Sequence, residues 1–259
     1  VDEPVRLAVA GGIARITLDR PEQRNALNRA TCRALVRAFE RAGADPGVRV
    51  VLLRGAGEQA FCAGADLKEL AEIQADADAV LARRAYFGGV ADCIRAMEES
   101  PVPVVGMVFG HALGGGLGLA AACDILYVAD DAHLGLPELG IGLFPMVVMA
   151  PILRSVGRKK AMELIFGAGL VNGAEAEQMG LATRAFPRER LEEETERLLA
   201  RVASFSPAVL RVGREAAARI DGLSVPQALG LLREAITVAS STEDARRGVT
   251  SYLERRNRP

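Results

Sequence analysis

Hydrophobic and polar positions change period several times along the chain. Val5 to Val9 and Ile13 to Leu18 alternate around Gly11-Gly12, which predicts a hairpin. Asn28 is placed to cap a helix running to about Ala42, with Leu35, Val36 and Phe39 on its apolar face. Val48 to Leu53 is an unbroken apolar run, read as a buried strand that ends at Gly55-Ala56-Gly57, and Val102 to Phe109 is a second. Asp66 to Ile73 and Asp76 to Glu98 have helical spacing. A short helix from Leu117 to Cys123 leads to a strand at Ile125 to Ala129, with a brief pairing segment at His133-Leu134. From Pro145 onward the pattern is mostly helical, at 145–153, 157–166, 173–179, 188–204, 206–220, 224–240 and 242–256, interrupted by a strand at Ala182 to Phe186. The first two-thirds is therefore mixed α/β and the last third a helical appendage. Helices with no sheet to cover must bury their apolar faces elsewhere, often on another subunit.

Composition narrows the function classes. With 259 residues, half of them hydrophobic, one large domain, alone or with a helical extension, is expected. The net charge of −1 and the few aromatics give neither a field nor a stacking platform for nucleic acid. Charged residues interrupt every apolar run before membrane-spanning length, and Val1-Asp2-Glu3-Pro4 does not resemble a secretory leader. Cys32, Cys62, Cys93 and Cys123 recur at nearly equal intervals in unrelated contexts, without a CxxC pair. With only two histidines beside them a zinc site is not expected, and scattered thiols suit a reducing cytoplasm.

The chemistry concentrates in two small-residue segments, Phe61-Cys62-Ala63-Gly64-Ala65-Asp66-Leu67-Lys68 and Gly110-His111-Ala112-Leu113-Gly114-Gly115-Gly116. Small residues leave backbone N–H groups uncovered. Two such turns leading into helices can hold an oxyanion between two amides, which points to carbonyl or thioester chemistry. Gly116-x-Gly118-x-x-Ala121 also fits a dinucleotide-binding pattern, but the helix is too short and Asp130 comes too early for that fold. Glycines needed only for helix-on-sheet packing are the third explanation. There is no GxSxG elbow and no phosphate-binding GxxxxGK[ST]. Glu138, within Gly135-Leu136-Pro137-Glu138-Leu139-Gly140-Ile141-Gly142, is either a partly desolvated acid suited to proton transfer or an exposed turn residue after proline.

Over essentially its whole length the chain resembles the crotonase superfamily, the enoyl-CoA hydratase/isomerase family. The matching stretches are Ile16-Thr17-Leu18-Asp19-Arg20-Pro21 with Asn25-Ala26-Leu27-Asn28, the segment Ala60 to Leu70, Gly110 to Gly116 with Cys123-Asp124-Ile125, and Gly135 to Pro145. The resemblance implies a spiral of ββα units over 1–195 and a C-terminal helical trimerisation region over 196–259, assembled as a homotrimer or dimer of trimers. It implies an acyl-CoA substrate and no cofactor beyond that coenzyme A moiety, with neither nucleic acid nor membrane as a partner. The oxyanion donors would be the backbone N–H groups of Ala65 and Gly115, and Glu138 would carry protons. Ala63, Asp66 and Leu67 would line the adenine end, with Lys68 and Arg24 near the nucleotide phosphates. Tyr252 and Arg255 would reach coenzyme A on a neighbouring subunit. For the basic residues a solvated surface is the competing explanation.

Two departures bear on the reaction. Hydratases of the family carry glutamates at two positions, and here the first is Gly118, leaving Glu138 alone. After Pro145 the family's glycine-rich stretch is replaced by Met146-Val147-Val148-Met149, which predicts a drier wall. One carboxylate that carries a proton between carbons suits isomerisation of a 3-enoyl-CoA to a 2-enoyl-CoA. Hydration to a 3-hydroxyacyl-CoA is the alternative, and an inactive acyl-CoA binding protein a further one. Residues 74–89 and 144–149 are expected to shape the acyl pocket, with Arg83 or Arg84 available to a carboxylate.

Overall fold

The hairpin is present as β1 (Val5–Ala10) and β2 (Ile13–Leu18), paired from Val5 opposite Leu18 to Ala10 opposite Ile13, with Gly11 and Gly12 at positive φ in the turn. The computed structural model describes residues 3–76 and 78–256, apart from the side chain of Arg255. From β2 onward the main sheet is parallel. β3 (Val50–Gly55), β5 (Val104–Val108), β7 (Ile125–Ala129) and β10 (Arg184–Phe186) add in the order β1-β2-β3-β5-β7-β10. All five residues of β5 are buried, as a strand covered on both faces requires.

A second sheet, which the apolar pattern did not announce, runs β4-β6-β8-β9. It consists of β4 (Ala60–Cys62), β6 (His111–Leu113), β8 (His133–Gly135) and β9 (Leu170–Asn172). Its strands are three residues long, too short for a periodic signal. The result is a repeating unit. β3 then β4 leads to α2 (Leu67–Gln74) and α3 (Val80–Glu98); β5 then β6 leads to α4 (Gly115–Ala121); β7 then β8 leads to a short 3-10 turn, Pro137–Ile141. Each pass places a long strand in the first sheet, a short one in the second, and a helical segment after it.

α1 (Arg29–Ala44) starts where expected, with Asn28 Oδ1 accepting from Thr31 N at 2.8 Å, and its apolar face packs on α3 and the hairpin. Three helix starts differ from the sequence expectation by two residues or more. α3 begins at Val80 rather than Asp76; α4 begins at Gly115 rather than Leu117; α5 (Met149–Ser155) starts four residues after Pro145. α6 (Arg158–Gly167) and α7 (Gly173–Gln178) follow near their expected places, with β9 between them.

α8 (Arg188–Ala203) lies on the main sheet through Leu191, Thr195 and Leu199. The division expected between residues 195 and 196 falls inside this helix. Beyond it, α9 (Pro207–Arg219) is held to the core largely by arginines. Arg211 donates to Gly43 O (3.0 Å) and Asp45 O (2.7 Å), and Arg214 pairs with Asp124 (3.0 Å). α10 (Val225–Ser240) and α11 (Glu243–Arg256) pack on α9 and on each other and leave Val225, Leu229, Ile236, Val249, Tyr252 and Leu253 exposed. Among the described residues no helix is long and apolar enough to cross a membrane.

Candidate active site

The first small-residue turn is built on Leu27. Its N–H donates to Gly64 O (2.7 Å) and its carbonyl accepts from Asp66 N (3.0 Å), forming a parallel bridge opposite Ala65. In such a bridge the flanking residues engage the partner strand, so the Ala65 N–H points to the other side. The Leu27 segment is itself fixed by Asn25, buried and at φ 57. Its amide donates to Ala56 O and Ala60 O, and its Oδ1 accepts from Arg20 N. Arg20 completes the clamp by donating to Ala26 O (2.6 Å) and pairing with Asp66 (3.0 Å). The Asp66 carboxylate also accepts from Lys68 N (3.2 Å) and so caps α2.

The second turn faces the first. A Cβ on Gly115 would stand 3.8 Å from Ala65 N, and one on Gly64 would stand 3.3 Å from Gly115 N. As the first residue of α4, Gly115 has no intrahelical acceptor for its N–H. Among the described residues neither the Ala65 nor the Gly115 amide donates to a protein acceptor. The packing explanation holds for the neighbouring glycines. A Cβ on Gly116 would come 2.7 Å from Cys62 Cβ, and one on Gly118 would come 2.8 Å from Val148 Cβ. Gly114 is required by its backbone, at φ 50 and ψ −117, and Glu138 Oε1 lies 2.7 Å from where its Cβ would be.

Glu138 is thus half-buried against the glycine turn, although Pro137 and Leu139 to Gly142 around it are exposed. Gly114 N donates to Gly135 O (3.0 Å), which ties the end of β8 to the turn, and Leu143 N donates to Glu138 O (3.0 Å). Glu138 Oε2 is buried without a protein partner, and burial raises the carboxyl pKa above its ordinary value, partly offset by the residue's own amide. A carboxylate in that condition exchanges protons nearer neutrality than a solvated one. Two free amides beside it can receive the oxygen of a polarised carbonyl.

The other expected residues are distributed more widely. Ala63 donates its N–H to Arg24 O (3.0 Å), which brings those two segments together, and Arg24, Leu67 and Lys68 are exposed near the turn. The Asp66 carboxylate is engaged within the protein by Arg20 and its cap. Tyr252 is exposed on α11, among the appended helices, and the Arg255 side chain lies outside the described residues. Of the expected greasy wall, Val148 is buried, Val147 and Met149 pack partly on the core, and Met146 is exposed. Arg83 donates to Asp76 O and Arg84 is exposed. An open groove of about 650 Å³ between α1 and α3, lined by Cys32, Arg37, Asp92 and Arg95, touches none of these site residues.

Sequence reasoning passed over Arg20 as a clamp and Tyr86, which is buried with its hydroxyl directed at Asp66 O (2.8 Å). Arg20 stood inside a quoted motif, whereas Tyr86 gave no signal, since a lone tyrosine on a helix has no diagnostic spacing.

Known proteins resemble this chain in sequence and in fold. The sequence profile of a family described as enoyl-CoA hydratase/isomerase matches residues 8–259. A Rhizobium meliloti protein named "Probable enoyl-CoA hydratase" is 34% identical over 98% of this chain and 96% of its own length. An Escherichia coli protein named 2,3-dehydroadipyl-CoA hydratase is 30% identical over 93% of this chain and 92% of its own. Among solved structures, an enoyl-CoA hydratase from Bacillus anthracis aligns with a TM-score of 0.90 at 30% identity, covering 97% of this chain and 96% of that one. Human enoyl coenzyme A hydratase domain-containing protein 3 aligns with a TM-score of 0.91 at 28% identity, covering 97% and 98%. With its alternating two-sheet spiral, its facing small-residue turns and a match over nearly its full length, the chain belongs to the enoyl-CoA hydratase/isomerase family of acyl-CoA enzymes, the crotonase superfamily.

Proposed function

We propose that the protein shifts the double bond of an acyl-CoA thioester from the 3,4 to the 2,3 position. In this reading the Ala65 and Gly115 amides receive the thioester oxygen. The Glu138 carboxylate removes a proton from C2, the electron pair moves onto the oxygen as an enolate, and the same proton is returned at C4. No water is consumed, so one carboxylate is enough. The observation that carries the reading is Val148. Its side chain fills the space beside Gly118, where a second acid would have to stand to hold and activate a water.

The coenzyme A end would lie along Ala63, Asp66 and Leu67, with Arg24 and Lys68 toward the phosphates. Asp66 would act there by holding the segment in place, since its carboxylate is engaged by Arg20 and Lys68 N, its N–H by Leu27 O, and its carbonyl by Leu70 N and the Tyr86 hydroxyl. The exposed apolar positions on α10 and α11 support self-association, most simply as a trimer, which would carry Tyr252 and Arg255 to a neighbour's ligand.

Hydration is the second reading, and it is favoured by the names of the relatives, several of which are called hydratases. The two separate in one assay. Purified protein is given 3-enoyl-CoA and, separately, 2-enoyl-CoA, and the absorbance of the conjugated thioester is followed. Isomerisation makes that absorbance appear from the 3-enoyl substrate. Its loss from the 2-enoyl substrate, with 3-hydroxyacyl-CoA formed, overturns the proposal. Binding of both without turnover marks an acyl-CoA binding protein instead.

A further inference from the structure

Tyr86 lies in α3, within the segment that the sequence assigns to the acyl pocket, yet it is 3% exposed and faces the oxyanion turn. Its hydroxyl donates to Asp66 O at 2.8 Å and stands 3.4 Å from Leu27 O. These are the carbonyls of Leu27, which bridges Ala65, and of Asp66, whose N–H donates to Leu27 O beside that bridge. The ring packs with Leu70 and Ile73 of α2, edge-on to Phe87 at 5.4 Å, and Ala65 borders the same small cluster.

We propose that Tyr86 is a positioning residue for the Ala65 amide, and that its hydroxyl fixes how strongly a bound thioester carbonyl is polarised. This rests on the oxyanion role proposed above for Ala65. A phenol has one proton to give, and the shorter distance assigns it to Asp66 O. That oxygen also accepts from Leu70 N (3.0 Å), so the hydroxyl is its second donor. Removing the hydroxyl therefore leaves the carbonyl hydrogen-bonded while freeing the turn to rock about Leu27. An oxyanion donor acts through fixed direction, so such looseness weakens it more than it weakens the fold. Burial, with Asp66 and Glu69 nearby, raises the phenol pKa and keeps it a donor throughout the neutral range.

The test is Tyr86→Phe, which retains the ring and the cluster. The probe is butanoyl-CoA labelled with 13C at the thioester carbonyl, whose stretch is read by isotope-edited infrared spectroscopy. The wild-type protein is expected to move the stretch to lower frequency and Tyr86→Phe to show a clearly smaller shift, with affinity for the probe within about threefold. In turnover, kcat is expected to fall about 3–10-fold with KM nearly unchanged. A full shift and full kcat in Tyr86→Phe overturn the proposal, as does a lowered melting temperature with the full shift kept, which marks a purely structural tyrosine. If the wild-type protein itself leaves the carbonyl unshifted, the oxyanion role of Ala65 fails and the proposal falls with it. A shift in the wild type retained in the variant refutes the Tyr86 proposal alone.

Discussion

Gly118 and Val148 share one volume. A Cβ on Gly118 would overlap the Val148 Cγ1 methyl and come within 2.8 Å of its Cβ, and Val148 is 4% exposed. Gly118 lies within α4 and Val148 immediately precedes α5, so the contact closes the seam between those helices. The absence of an acid at 118 is thus matched by an apolar filling from an element thirty residues away. Gly118→Glu alone is expected to destabilise the protein by about 1–3 kcal/mol through overpacking, without gaining hydration. Gly118→Glu with Val148→Gly should recover part of that stability and convert 2-enoyl-CoA to 3-hydroxyacyl-CoA. Thermal melts and product chromatography check both halves, and a single variant as stable as wild type would count against the steric account.

Glu138→Gln keeps the shape and removes the proton carrier. Turnover is expected to fall about 10²–10⁴-fold. Because burial raises the Glu138 pKa, the acidic limb of kcat/KM should lie above the ordinary carboxyl value of 4.5. The stability linkage has a definite sign. The raised pKa contributes stability that is present below the unfolded-state value and is lost as pH rises through the folded-state value. Glu138→Gln should therefore melt higher than wild type at neutral pH, with the difference narrowing in acid. Melting curves across pH read this directly.

Gly114→Ala should uncouple the acid from the turn. A methyl there meets Glu138 Oε1 at 2.7 Å, and the backbone at φ 50, ψ −117 is one that only glycine adopts readily. A cost of about 1–3 kcal/mol in stability is expected, together with loss of turnover as Glu138 is displaced. Retained activity at reduced stability would show that Glu138 has room to shift.

Arg214→Ala tests how the helical extension is attached. The guanidinium pairs with Asp124, donates to Glu98 O (3.2 Å), and is only 8% exposed. Its loss is expected to cost about 2–3 kcal/mol and to speed proteolysis beyond α8. Lysine should rescue little, because one ammonium cannot reproduce the planar fork that spans these acceptors.

The long strands β2, β3, β5 and β7 were legible from their apolar runs, and α1 from its asparagine cap and one-sided face, since both signals are local. β4, β6 and β9 were not, because three residues carry no period. Their pairing is set by strands distant in sequence, as when Ala60 meets His111 and His133 meets Asn172. Within the candidate site, Glu138 was legible as an acid among small and apolar residues, with partial desolvation and full exposure both left open. The surroundings that desolvate it, beginning with Gly114, arrive from another turn of the spiral.

The sequence by itself determined the family, through the order and spacing of its small-residue turns, and the kind of intermediate those turns suit, since small residues expose backbone amides wherever they fold. It also determined that one of the family's two acids is missing. Tertiary structure decided the rest. It set Ala65 and Gly115 side by side, engaged the Asp66 carboxylate with Arg20, brought Tyr86 against the turn, and filled the space at Gly118 with Val148. Each of those is a contact between segments far apart along the chain, and such contacts depend on how the two sheets wind, which no local pattern of residues encodes.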